Sequence, residues 1–227
     1  MTADFFYKKV YKIGIGSISI LFSAVCMIYA LFLSRVKTIE MNTGFFYLVR
    51  DEINVEVGVE FVKLEGGAGY LLRDNSQDYV VLSVYFDKND ALAVQTALTQ
   101  GKPTKIVYKG VDTLYFKTNT QKKNATVYTG ALKIFYSCMQ VFDGGIGLLE
   151  DGATQERVKG ILAPLSRQFG YLSKEYATIY PDFSSVCHRY SQRIDGYDAR
   201  VLFVGDLRYD LCEMTGDYLA LVQNFSI

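Results

Sequence analysis

The chain has 227 residues, half of them apolar, which is enough to build a folded domain with a substantial core. Its 24 Lys and Arg balance 24 Asp and Glu, and no basic block stands out, so nucleic acid is not expected as a partner. One histidine and four scattered cysteines do not make a two-histidine metal site or a zinc ribbon. We therefore expect neither a metal nor a cofactor.

A charge-free apolar stretch at residues 13–34 comes first along the chain. As a helix it is long enough to cross the hydrocarbon core of a bilayer. A cleaved signal peptide is less favoured, because Ala30–Ser34 lacks the small-x-small pattern of a cleavage site. The sequence thus predicts a transmembrane signal anchor at 13–34.

The charges that flank this stretch give only a weak orientation signal, three lysines before it against Arg35 and Lys37 after it. These charges favour an N-terminus inside the cell, and the large remainder of the chain, which contains no second span, favours the same orientation. We expect a cytoplasmic tail at residues 1–12 and a single-pass protein of the cell membrane, with the bulk of the chain extracytoplasmic.

Three cysteines, Cys138, Cys187 and Cys212, lie beyond this stretch, and their spacing is not that of a disulfide framework. The sequence leaves open whether two of them form one disulfide bridge. The favoured interpretation is that all three cysteines are buried and pack as small apolar residues.

Residues 43–117 mix apolar runs with short turns, as expected of a small sheet. Asp78–Phe86 predicts a strand with Val80, Leu82, Val84 and Phe86 on one face and Tyr79, Val81, Ser83 and Tyr85 on the other. A helix follows, capped by Asp87 or Asn89 and ended by Gly101. The other predicted strands are Phe45–Val49, Tyr70–Leu72, Lys105–Lys109 and Thr113–Lys117.

The segment Ile53–Leu64 has two interpretations. Val55, Val57 and Val59 alternate as in a strand, while the glycines at 66–69 are typical of a helix end. Periodicity alone favours a strand. Topology favours a helix, since the order β-α-β-β-α-β gives a compact sheet with helices on one face.

Residues 119–126 are polar and predict a linker. From 127 to 227 the apolar residues keep helical spacing, with helix ends expected at Gly144–Gly145 and Pro181. The predicted fold class is therefore α+β: an N-terminal transmembrane helix, a small βαββαβ domain at 40–118 and a C-terminal helical bundle.

The central segment resembles the SPOR (sporulation-related repeat) domain. The resemblance covers about residues 43–117 and has four parts: the strand Tyr79–Phe86, Asn89-Asp90-Ala91 in the next helix, Gly101 before Ile106-Val107-Tyr108, and the turn Gly66–Tyr70. It implies a membrane-anchored bacterial envelope protein of sporulation or cell division that binds peptidoglycan. The chain departs from the family at Leu82 and Val84, where a polar residue and a glycine are usual, which puts the family's glycan surface in doubt.

No catalytic constellation is evident, and we expect no enzymatic activity. Cys187 and His188 are adjacent, so on a helix they point about 100° apart and cannot form a nucleophile pair. The carboxylate pairs Glu56 with Glu60 and Asp206 with Asp210 are typical of solvated helix faces.

Two functions follow from the sequence. In the first, a peptidoglycan-binding module contacts glycan through Tyr79, Ser83 and Tyr85 on one strand and Tyr115 and Lys117 on another. The opposing interpretation is that these tyrosines pack against the C-terminal helices. In the second, the protein is a structural scaffold subunit of an envelope assembly that docks partner proteins through its helical region.

Overall fold

The computed structural model describes residues 36–50, 55–74, 77–98 and 103–226. A four-stranded antiparallel sheet with strand order β2-β3-β1-β4 lies between two layers of helices. The strands are β1 Lys37–Arg50, β2 Tyr70–Asp74, β3 Gln77–Tyr85 and β4 Thr104–Phe116. The helices are α1 Val55–Leu64, α2 Lys88–Ala97, α3 Asn119–Lys123, α4 Ala125–Glu150, α5 Gln155–Tyr176, α6 Pro181–Asp195 and α7 Val204–Gln223, with a short 3₁₀ turn at Gly196–Ala199.

The segment for which periodicity and topology disagree is helix α1. Its buried Val62 packs with Leu48 and Val80 of the sheet. Gly66 adopts a φ of 79° after the helix, a conformation that a residue with a side chain rarely takes. Burial of one helix face against the sheet outweighs the strand-like alternation of the valines.

Helix α2 begins as the sequence predicts. The Asp87 carboxylate accepts a hydrogen bond from the backbone N–H of Asn89 at 2.7 Å, so Asp87 is the N-cap. Val94 of this helix packs against the same side of the sheet as α1 does. Both helices between the strands therefore cover one face of the sheet.

A β-bulge in β3 changes the face assignment of that strand. Leu48 pairs with Ser83 but Val49 pairs with Val81, so Leu82 is an extra residue in the register. Tyr79 and Val81 consequently face the C-terminal helices with Val84, whereas Val80 and Leu82 pack on the α1 side. The prediction that Tyr79, Val81, Ser83 and Tyr85 share one face is wrong, because a strict period of two does not survive a bulge.

Strand β4 is continuous from Thr104 to Phe116, whereas the sequence pattern predicts two short strands around Gly110. Gly110 pairs with Gly44 within the ladder instead of forming a turn. The chain after β4 also differs from expectation, because most of the expected linker is helical, as α3 and the start of α4.

Helix α4 runs past Gly144–Gly145 to Glu150, so the expected helix end there is wrong. A Cβ on Gly145 would lie 3.0 Å from Cδ2 of Leu162 on α5. This glycine serves close packing of two helices, which one sequence cannot distinguish from a stop signal.

The C-terminal helices cover the second face of the sheet and share its core. Phe45 and Tyr47 of β1 are fully buried among side chains of α4 and α7. The ring centroids of Phe45 and Tyr218 are 5.6 Å apart, and the Tyr47 hydroxyl donates to Oγ1 of Thr215 at 2.7 Å. The core is thus continuous across residues 119–126.

The predicted fold class is corrected in one respect. In the part of the chain that the structure describes, no helix is long and apolar enough to cross a membrane. The tail at 1–12 and the stretch at 13–34 lie outside the described residues, and the location inferred from them stays a prediction. The fold shown is α+β, with one antiparallel sheet and its helices.

Candidate functional site

Three aromatic side chains form a row across the sheet on the face that α1 and α2 cover only in part. The register pairs Phe46 of β1 with Tyr85 of β3 on one side and with Tyr108 of β4 on the other. The ring centroids of Phe46 and Tyr108 are 5.0 Å apart at an interplanar angle of 41°. Tyr108 is 53% exposed, and the other two rings are partly buried. We call these three residues the aromatic row.

The outer ring of the row rests on a pair of glycines. Gly44 and Gly110 are cross-strand partners, and the phenol end of Tyr108 lies over both. A Cβ on Gly110 would be 2.1 Å from the Tyr108 hydroxyl oxygen. The glycines therefore let the ring lie flat on the backbone, with its other face towards solvent.

One of the predicted glycan-binding residues, Tyr115, follows on the same face of β4, and a second, Lys117, comes after the strand. Leu114 and Phe116 point into the core, so Tyr115 between them points the opposite way. Lys117 lies just beyond the end of β4. It is exposed and its Nζ donates to the backbone oxygen of Ser226 at 2.8 Å. At about 3.3 Å per residue, Tyr115 lies about 23 Å along the strand from Tyr108.

Of the remaining predicted residues, Ser83 is buried beside Tyr85 on the α1 side of β3. Tyr79 lies on the other face, 6% exposed, with Lys105 Nζ 3.9 Å from its ring centroid. The structure therefore brings Ser83 and Tyr85 together and places Tyr115 further along the same face. Lys117 lies beyond the end of the strand, and Tyr79 is separated from the other four.

Burial raises the pKa of Tyr85 above its ordinary value, and its side-chain hydrogen bond with Ser83 opposes that rise. The phenol is thus neutral at physiological pH and keeps its proton. A neutral hydroxyl that both donates and accepts suits recognition of sugar hydroxyls.

A cleft of about 370 Å³ opens next to the aromatic row, between α1, α2 and the sheet. Ser83 and Tyr85 line it, together with Arg50 and Arg208. The two arginines come from β1 and α7, so the C-terminal helices contribute to a cavity on the far side of the sheet.

The groups considered for catalysis do not converge. Cys187 is buried and burial raises its thiol pKa, while His188 beside it is exposed. All three cysteines of the described chain are buried and free, which confirms the favoured interpretation. No group of three or more potential metal ligands occurs among the described residues.

One carboxylate differs from expectation. Asp206 is exposed, but Asp210 is 8% exposed and bonds to the Tyr197 hydroxyl and to Nη1 of Arg193. Burial raises the Asp210 pKa, and these two partners oppose the rise. Asp210 thus joins α7 to α6 and to the 3₁₀ turn.

Sequence reasoning misses Phe46 and Tyr108 as site residues. The pattern places Phe46 in a wholly buried strand and Gly110 in a turn between two strands. The signal that could identify them is the repeat of an aromatic residue two positions from a glycine in both strands, Gly44 with Phe46 and Tyr108 with Gly110.

Comparison with family models, with curated proteins and with solved structures finds no match to this chain. The resemblance to the SPOR domain therefore has the support of its own motif residues alone.

Proposed function

We propose that the protein is a non-catalytic binding protein whose ligand is peptidoglycan glycan of a bacterial cell wall, bound along the aromatic row and the β4 face beyond it. The observation that carries the proposal is the solvent-facing ring of Tyr108, laid flat on the sheet beside Phe46. Flat, exposed aromatic rings are the surfaces on which the apolar faces of sugars stack.

The shape of this face favours a polymer over a small molecule. From the row to Tyr115 it extends about 23 Å along a strand, and Lys117 follows just beyond the strand end. Rings for stacking stand at one end, and a phenol and an ammonium group stand at the other. An extended chain of sugars can contact both ends at once, whereas a single sugar cannot.

The exposed ring also has a structural role that must be separated from binding. An aromatic side chain over cross-strand glycines covers backbone that would otherwise be open to solvent. That role uses the inner face of Tyr108 against Gly44 and Gly110. Glycan would use the outer face, so the two roles can be measured independently.

Co-sedimentation of the full chain with insoluble peptidoglycan tests the proposal. The polymer is used after its stem peptides have been removed, and cellulose of equal mass is the control. We expect saturable pelleting with the glycan and none above background with cellulose. Equal pelleting with both polymers, or with neither, would overturn the proposal.

The scaffold function is the second candidate. Phe203, just before α7, is 63% exposed and Leu64 on α1 is 86% exposed, and both line one cavity. Large exposed apolar side chains that lie close together are typical of protein–protein contacts. A scaffold subunit would show no saturable binding to glycan, so the same assay distinguishes the two candidates.

A further inference from the structure

The outward face of helix α4 carries almost no charge. Of the exposed residues that the structure describes between 125 and 149, only Lys133 is charged, and the others are Thr126, Ile134, Ser137, Gln140, Val141 and Gly144. Ile134 is 36% exposed and Val141 is 46% exposed. Ser137 lies between them, and its hydroxyl donates to the backbone oxygen of Lys133 at 3.1 Å, so its hydrogen-bonding capacity is used within the helix.

Helix α5, which packs beside α4 in the same layer, has an ordinary solvated face. Its exposed charged residues are Glu156, Arg157, Arg167, Lys174 and Glu175. The low charge of α4 is therefore a property of one helix face and not of the whole layer. A surface helix normally directs its charged residues away from the core, so an outward face with aliphatic side chains and one charge indicates a less polar surrounding than water.

The N-terminal end of this face is basic. From residue 113 to residue 142 the chain has no acidic residue and four lysines: Lys117, Lys122, Lys123 and Lys133. Two of them belong to α3, which ends at Lys123, two residues before α4 begins. The opposite end of α4 is acidic, with Glu150 and Asp151 exposed. The helix thus has an apolar outward face with a basic and an acidic end.

We infer that the outward face of α4, with the lysines at its N-terminal end, rests on an anionic phospholipid membrane. Apolar side chains on such a helix enter the boundary between headgroups and acyl chains. Lysines beside them are attracted by the negative charge of the lipid headgroups. Repulsion of Glu150 and Asp151 by the same headgroups places the N-terminal half of the helix closest to the bilayer.

The point at which the chain enters the fold supports a membrane at this surface. Strand β1 begins at Lys37, which pairs with Phe116 of β4. The ring centroids of Phe116 and Tyr128, in the first turn of α4, are 6.3 Å apart. The stretch at 13–34, for which the sequence predicts a membrane span, therefore ends close to the basic end of α4.

The membrane contact and the aromatic row lie on opposite sides of the sheet. Helix α4 covers the face that carries Phe45, whereas Phe46 and Tyr108 lie on the α1 side. A bilayer against α4 would leave the row directed away from the membrane, where a cell wall stands. This orientation rests on the proposed function, but the membrane contact of α4 does not.

A polarity-sensitive fluorophore on the outward face of α4 tests the inference in the full chain. Ser137→Cys provides the attachment site in a Cys26→Ser background, because the cysteines of the described chain are buried. Gln168→Cys, exposed on α5, is the matched control. We expect a blue shift and quenching by brominated lipid tails at position 137 in vesicles of equal phosphatidylglycerol and phosphatidylcholine. Both signals should be much weaker in phosphatidylcholine alone and absent at position 168. The label reports its own depth, so insertion of residues 13–34 alone does not produce the signal.

Reversal of the basic charge gives the second measurement. Lys122→Glu with Lys123→Glu should lower the ratio of quenched to unquenched label at position 137 at least about tenfold in the anionic vesicles. Arg167→Glu with Lys174→Glu makes the same charge change on the exposed side of α5 and should leave that ratio unchanged.

Equal quenching at position 137 in the two kinds of vesicle, or none in either while circular dichroism shows a folded protein, overturns the inference. A blue shift that needs no vesicles and grows with protein concentration also overturns it, because a second copy of the chain would then cover the face. Sedimentation with glycan is a separate assay, so the membrane contact and the proposed function can fail independently.

Discussion

The phenol ring of Tyr108 lies against the backbone of Gly44 on the neighbouring strand. A Cβ on Gly44 would stand 2.6 Å from Cε2 of Tyr108, closer than side-chain carbons pack. One glycine thereby determines the position of the ring on which the proposed glycan contact depends. The consequence can be measured.

Gly44→Ala should push the ring off the strand backbone. We expect a loss of about 1–3 kcal/mol in the free energy of unfolding, typical of overpacking, together with weaker glycan binding. Gly130→Ala is the matched control. Gly130 lies in α4, and a Cβ there would have no other atom within 4 Å, so alanine should stabilise the helix by up to about 1 kcal/mol. Urea unfolding measures both, and equal effects of the two changes would contradict the packing argument.

The continuous core leads to a second expectation. A fragment of residues 40–118, for which the sequence predicts a separate domain, would expose Phe45, Tyr47, Leu114 and Phe116, all of them fully buried in the whole chain. We expect it to lack a cooperative thermal transition, because one face of its sheet loses its cover. Circular dichroism melting of this fragment beside the full chain is the measurement. A sharp transition in the fragment would show that the sheet has a sufficient core of its own.

The contact between the sheet and α7 gives a third prediction. The Tyr47 hydroxyl donates to Thr215 inside the core. Tyr47→Phe should therefore cost about 0.5–1.5 kcal/mol in the free energy of unfolding. In a double-mutant cycle with Thr215→Val, the two changes should be non-additive by a similar amount. Strict additivity would mean that the hydroxyls do not interact in solution.

The carboxyl group of Asp143 on α4 predicts how the stability of the protein depends on pH. Burial, with a smaller contribution from Glu150 and Asp90, raises the Asp143 pKa to about 6. The folded protein then holds this proton more tightly than the unfolded chain, whose Asp titrates near about 4. Through this group alone, stability is highest below about pH 4 and falls as the pH rises from about 4 to about 6.

Asp143→Asn isolates that effect from other titrating groups. The stability of the variant relative to the wild type should increase between about pH 4 and pH 6 and reach the order of 1 kcal/mol above it. Chemical denaturation at a series of pH values is the measurement. A difference that does not change with pH would show that Asp143 has an ordinary environment.

Local signals in the sequence are sufficient for several elements. The Asp87 cap marks the start of α2, and the β-branched run at 79–85 marks β3. These depend on contacts within a few residues of each other. The bulge at Leu82 depends on pairing with β1 more than thirty residues away, so no periodicity within β3 reveals it.

The same distinction applies to the site. Residue type predicts Ser83, Tyr85 and Tyr115, which share one face, and Lys117, which lies beyond the end of β4. Tyr79 is grouped with Ser83 and Tyr85 by an alternation that the bulge breaks. Arg50 and Arg208 are 158 positions apart, and nothing local relates them. Their meeting in one cleft follows from packing of α7 against the loop after α1, which only the fold shows.

The glycan affinity of variants at position 108 tests the central claim most directly. Sedimentation isotherms would be measured well below the thermal midpoint of each variant, with Tyr171→Ala, a 60% exposed tyrosine on α5, as the control. Loss of one stacked ring should weaken binding by Tyr108→Ala about fivefold, while Tyr108→Phe and Tyr171→Ala bind as the wild type does. If folded Tyr108→Ala binds glycan as tightly as the wild type, the aromatic row is not the binding surface.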